Sequence, residues 1–183
     1  MKRISAILVL VAAIPPRFGF AETPKGYASF GLGGDIAADG YTGRDPRFEI
    51  QLEAGYDYVG FPVSVSFGED VILVGVKPRI QCWVTPSKQE PKLSIAPGLG
   101  PVFNYWHGDN GFATADAYEI GMQISAQVHY QITDQFFVNF TPVELDFNFW
   151  RHYSANLGGL SGSRSSTDLG IVYTLLVSGG VNF

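Results

Sequence analysis

The chain has 183 residues, a single cysteine (Cys82) and a formal net charge of −5; the acidic balance without a basic run excludes a nucleic-acid binder, and a lone thiol excludes an internal disulfide framework. Charged residues make up only 16%, aromatics reach 14% and glycines number 22, whereas soluble domains carry about 25% charged residues. Beyond Ile14 no apolar stretch approaches the roughly 20 residues of a spanning helix, so any membrane hydrophobicity must be hidden by alternation along strands.

Residues 1–21 read as a cleavable export leader. Lys2 and Arg3 precede the apolar run Ile4 to Ile14, Pro15-Pro16 ends it, and Gly19-Phe20-Ala21 offers small residues for a cut after Ala21. The mature domain, 22–183, then keeps nine basic residues against 17 acidic ones, a balance of −8.

From there the pattern has period two, the signature of strands with two unlike faces. Ala28, Phe30, Leu32 and Ile36 alternate with Ser29, Gly31, Gly33 and Asp35. Phe48, Ile50, Leu52, Ala54, Tyr56 and Tyr58 oppose Arg47, Glu49, Gln51, Glu53, Gly55 and Asp57. A short, weak strand at Val63 to Phe67 follows. Val74, Val76, Pro78, Ile80, Cys82 and Val84 oppose Gly75, Lys77, Arg79, Gln81 and Thr85. Leu93, Ile95, Leu99, Phe103 and Tyr105 make the fifth apolar face, and Tyr118 to Tyr130 the sixth. In Phe136 to Trp150 the apolar parity slips near Pro142, which predicts a bulge. Leu169 to Phe183 closes the set at eight strands.

The connections alternate between short turns (Asp57 to Pro62, Pro86 to Pro91, Thr133-Asp134) and long polar loops (Ala37 to Pro46, His107 to Ala117, Arg151 to Thr167), with a short link at Gly68 to Asp70. The polar face is rich in Gly, Ser and Gln, which suit a crowded interior. The apolar face carries aromatics toward both ends: Tyr56, Tyr58, Trp83, Tyr130 and Phe136 by the short turns, Tyr105, Tyr118, Phe147 and Phe149 by the long loops. These features predict a closed, antiparallel up-and-down transmembrane β-barrel with its polar face inward.

Eight strands behind an export leader, with a final strand of alternating apolar residues ending in Phe183, resemble the small outer-membrane barrels of the OmpA and OmpX type. That resemblance implies residence in a Gram-negative outer membrane among lipopolysaccharide. It also implies that Tyr173, Leu175, Val177, Val181 and Phe183 are read by the outer-membrane assembly machinery.

Two constellations could carry chemistry. Glu49, Glu53, Lys77, Arg79, Glu119, Glu144 and Asp146 share the polar face and suggest either a solute path or a lumen charge network. The network is favoured, because eight strands leave an interior just wide enough for side chains and unpaired charge there is costly. His152-Tyr153-Ser154 with Asp168 resembles the lipid A 3-O-deacylases, on which mapping His152 is the base, Ser154 the nucleophile and Asp168 the orienting acid. Ala155 stands where that family has Asn, the acid is Asp in place of Glu, and His152 and Ser154 share parity with the lumen residues Glu144, Asp146 and Asn148. His107, Asp109 and Asp116 could meet in one loop, but a solvated loop is favoured over a metal site, and no cofactor motif is seen. The reading is a monomeric surface or structural barrel whose long loops could meet a ligand, with lipid A deacylation and a narrow passive pore as alternatives.

Overall fold

The structure, a computed structural model, describes residues 19–20, 26–37, 46–86 and 92–183. The rest of the leader, the loop between Ala37 and Pro46, and the expected turn after Pro86 through Pro91 lie outside the described residues.

Twelve strands are seen among the described residues: β1 (Gly19–Phe20), β2 (Tyr27–Ala37), β3 (Arg47–Tyr56), β4 (Val59–Phe67), β5 (Val71–Val76), β6 (Arg79–Gln81), β7 (Val84–Thr85), β8 (Leu93–Asp109), β9 (Ala113–Gln131), β10 (Phe136–Leu157), β11 (Leu160–Ser166) and β12 (Gly170–Asn182). All pairings are antiparallel, and β12 returns to β2, which closes an eight-membered ring in which β5, β6 and β7 are pieces of one interrupted strand. Among the described residues β11 pairs only with the outer part of β10. Closure of the ring pairs its first strand with its last, a requirement for backbone placed in lipid.

The barrel is inverted relative to a soluble one. Leu52, Ile80 and Leu99 are 60%, 66% and 52% exposed, while Glu49, Lys77, Arg79 and Glu144 are almost fully buried. Apolar side chains therefore clothe the outside and ionic ones fill the lumen, as expected when the surrounding solvent is hydrocarbon.

Two irregularities set which residues enter the lumen. Lys77 and Pro78 interrupt the strand between β5 and β6, where proline has no N–H to offer the ladder. The neighbouring strand accommodates this with Gly100, since a Cβ there would lie 1.9 Å from the Pro78 carbonyl oxygen. The slip expected near Pro142 is a bulge between Thr141 and Glu144. It brings Glu144 and Asp146 inward after Asn139 and Thr141.

Several expectations need correction. Trp83 does not face lipid; it is 3% exposed and packs inside the barrel. The weak strand is longer than Val63 to Phe67, because β4 starts at Val59 after the tight turn at Asp57–Tyr58 (Asp57 φ 54°). The stretches His107 to Ala117 and Arg151 to Thr167 are largely not loops. They are β8–β9 and β10–β11 ladders that run past the apolar belt to tips at Asn110–Phe112 and at Gly158 and Gly159, both glycines at positive φ. Toward their tips both faces meet water, so there they lack the apolar alternation that reveals a strand.

Candidate functional site

The lumen is filled from the middle outward. Lys77 Nζ lies 2.6 Å from Glu144 Oε1, 3.1 Å from Asp146 Oδ2 and 3.9 Å from Glu49 Oε1. Arg79 lies 2.6 Å from Glu53 and 3.5 Å from the second oxygen of Glu144. Tyr27 donates to Glu53 at 2.7 Å, and Gln127 donates to it at 3.3 Å. Glu49 and Glu53 come from β3, Glu144 and Asp146 from β10, and the two cations from the interrupted strand beside β8, so the cluster ties distant parts of the ring together. A second pair, Arg47 with Asp35 at 2.5 Å, lies on β3 and β2. Toward the outer end Glu119 accepts from Asn148 and from Arg151.

Below the ions, at the short-turn end, an aromatic layer closes the lumen. Tyr27 meets Trp83 and Phe137 edge-on at centroid separations of 6.2 and 6.1 Å, and His129 packs on Trp83 at 5.0 Å. His129 also contacts Asn139 at 2.7 Å and Gln131 at 3.0 Å. Parity along the strand predicts His129 in the lumen but does not reveal this layer, because Tyr27 and Trp83 sit at strand ends where parity is hardest to assign.

At the opposite rim a second bulge, between Asn148 and Trp150, reverses the parity of everything after it. Arg151 consequently reaches the lumen carboxylate Glu119, and the Tyr153 ring lies 5.8 Å from the buried Trp106. His152 and Ser154 point outward, contrary to the lumen parity expected of them. His152 stacks on Trp150 at 6.3 Å and contacts Ser165 Oγ at 3.0 Å through Nδ1. Ser154 is in register with Asp116 of β9 and Ser163 of β11. Asp168 accepts from Ser166 Oγ at 2.6 Å instead of meeting His152.

The carboxylate beside Ser154 is thus Asp116, with its own partners. Tyr105 donates to it at 2.6 Å and His107 Nδ1 at 2.8 Å. Those two hydrogen bonds, Tyr105's the larger effect, hold the Asp116 carboxyl below its ordinary value. Asp109 accepts from the Gly111 amide in the hairpin tip. Above the girdle formed by Tyr118, Phe149 and Trp150, the outer surface therefore carries hydroxyls, imidazoles and one carboxylate. This collar spans three strands; His107 and Asp116 do meet, as cross-strand neighbours of the β8–β9 ladder, while nothing in chain order links either to Ser154.

No protein-family model and no curated protein sequence matches the chain. Solved structures do. Neisserial surface protein A shares 15% identity over 87% of this chain and 97% of its own, with a TM-score of 0.56. The N-terminal barrel domain of Pseudomonas aeruginosa OprF gives 12% identity over 88% and 100%, at 0.53. A major outer membrane protein of Thermus thermophilus gives 13% over 86% and 99%, at 0.52. At these identities the likeness is one of fold: this chain has the architecture of small outer-membrane barrels.

Proposed function

We propose that the chain is an integral outer-membrane barrel with a closed lumen, which serves as a rigid stand for two β-hairpins at the cell surface and performs no transport. The carrying observation is the filled interior: the Arg79 and Glu144 side chains are both 0% exposed at the centre of the barrel, and the aromatic layer lies beneath them. The tips support a surface-facing role, since Phe112, Leu157 and Leu160 are 87%, 60% and 78% exposed there, beyond the apolar belt. The outward collar of Tyr105, His107, His152 and Ser154 suits the sugar and phosphate headgroups of lipopolysaccharide. In this reading residues 1–21 are the removed leader, and Tyr173, Leu175, Val177, Val181 and Phe183 address the chain to the assembly machinery. Recording in planar bilayers tests the claim: no stepwise conductance is expected, and reproducible steps abolished by blocking the lumen would overturn it.

A second reading is favoured by one observation, the bulge that turns His152 and Ser154 toward the outer leaflet. That is the orientation needed to hydrolyse a 3-hydroxyacyl ester of lipid A, with Ser154 as nucleophile, His152 as base and Asp168 rotating from Ser166 to orient it. Mass spectrometry of lipid A from cells with and without the protein decides it. Loss of one 3-hydroxyacyl chain, abolished by Ser154→Ala, would make the protein an esterase; unchanged lipid A with a folded barrel in the membrane removes this reading.

A further inference from the structure

On the lipid side of the barrel, just below the polar collar, lies a groove of about 350 Å³ walled by Val74, Val76, Phe103, Ile120, Trp150 and the rings of Tyr105 and Tyr118. Strand register explains it. Val74 stands opposite Tyr105, Val76 opposite Phe103, and Phe103 opposite Ile120. The second bulge then brings Trp150 outward beside Ile120. Short aliphatic side chains among four large rings leave a depression that opens to the hydrocarbon layer. Its walls can be reached, since Ile120, Phe103 and Tyr118 are 38%, 47% and 54% exposed.

What stands directly above the groove decides which lipid suits it. Tyr118 and Asp116 are two residues apart on β9, roughly 7 Å along an extended strand, so one molecule spans both. The bonds from Tyr105 and His107 both fall on Asp116 Oδ1. They fix the carboxylate and leave Oδ2, on a side chain 38% exposed, to accept from outside. The only arginines of β8 to β11, Arg151 and Arg164, are turned to the lumen side, and these strands have no lysine. Arg151 is engaged by Glu119, and Arg164 stands opposite the inward Tyr153. A lipid phosphate at this spot would meet a carboxylate with no guanidinium or ammonium beside it. A hydroxyl or amide N–H would find a charged acceptor, the stronger kind of hydrogen bond.

We propose that the groove and Asp116 together bind one outer-leaflet lipid of hydroxyacyl-amide chemistry. Its chain lies along Val74, Val76 and Ile120, and a hydroxyl or amide N–H at its head end donates to Asp116 Oδ2. The chain alone confers no preference, because lipid tails are as apolar as the walls they would meet. Selectivity comes from the carboxylate, which favours a donor and disfavours an anion. The inference rests on the surface-collar reading above and narrows it: at this edge the collar meets the donor groups of a headgroup and not its phosphates.

Titration of the full chain, folded in perdeuterated dodecylphosphocholine micelles, tests this with three probes of equal chain length. These are 3-hydroxytetradecanamide, methyl tetradecanoate (an acceptor only) and tetradecyl phosphate (an anion). The Ile120 methyl resonances should shift saturably with the amide, with contacts from its chain to the Trp150 indole. The ester and the phosphate should each bind more weakly by about tenfold or more, the loss of one hydrogen bond to a charged group. Asp116→Asn should erase most of that difference, and Val74→Phe, which fills the groove, should weaken all three chains. Both positions face outward, and unchanged heat-modifiable gel mobility would show each variant folded. Equal binding of the three probes, absence of saturation by the amide, or selectivity retained in Asp116→Asn would each overturn the proposal. So would contacts at Ile120 from a second copy of the chain, in a mixed-label sample, in place of the lipid's. Conductance, which tests the closed lumen, is read independently of all these results.

Discussion

Replacing Lys77 by Met keeps the unbranched stem but removes the ammonium on which three carboxylates converge, at 2.6, 3.1 and 3.9 Å. Arg79 compensates poorly, because its only contact with that group is at 3.5 Å and its shorter bond goes to Glu53. The variant is left with buried carboxylates facing one another, and breaking a buried pair from one side costs about 3–5 kcal/mol. Urea unfolding of vesicle-inserted protein, followed by the loss of heat-modifiable gel mobility, should show a destabilisation of that size. Adding Glu144→Gln to Lys77→Met should recover stability through a coupling of roughly 0.5–3 kcal/mol, the scale for groups in contact. Lys92→Met, at an exposed turn position, should stay within about 0.5 kcal/mol. If Lys77→Met also stayed within that margin, the ion cluster would not be holding the lumen and the account of a filled interior would fail.

Three further outcomes follow from the geometry. Trp83→Ala should cost about 3–5 kcal/mol in the same assay, as large-to-small changes in a packed aromatic layer do; in single-tryptophan variants, lipids brominated on their acyl chains should quench Trp150 and leave Trp83 bright. The Asp116 carboxyl, held low first by Tyr105 and then by His107, contributes stability above its unfolded value and loses it as pH falls through the lowered one; Tyr105→Phe should therefore move its titration upward, read by carboxyl-carbon NMR, and an unmoved titration would refute the hydrogen bond. Gly100→Ala should block folding or shift the Lys77–Pro78 crossing, because the new methyl would meet backbone at 1.9 Å; native yield on refolding into vesicles measures it.

Strand faces are legible wherever one side meets lipid and the other the lumen, because only such strands alternate strictly. Arg47 to Tyr58 is the clearest example, and the bulge at Pro142 announces itself by a change of parity between Phe140 and Val143. The same logic goes blind at the outer hairpins. Ser161, Gly162 and Ser163 pair in a ladder, yet water on both faces removes the contrast that marks a strand. The bulge at Trp150 has no sequence sign, since Phe149 and Trp150 are both apolar and either parity reads equally well. Without such a sign, His152 and Ser154 read onto the wrong side of the wall. Trp83 misleads for another reason: an aromatic near a strand end resembles interfacial girdle, while its odd parity with Arg79 and Gln81 places it inside.

The separation of the central ions along the chain bears on how the barrel can form. Lys77 and Glu144 are 67 residues apart, and Thr174 reaches Glu49 across 125, so no single hairpin contains a complete set of partners. A half-made sheet entering hydrocarbon would carry a bare ammonium and several bare carboxylates, each expensive there. Strands that curl into a ring before or while they enter the bilayer avoid that state altogether. The charges that sit still in the finished barrel thus act earlier as a veto on partial insertion, making membrane entry and ring closure one concerted event.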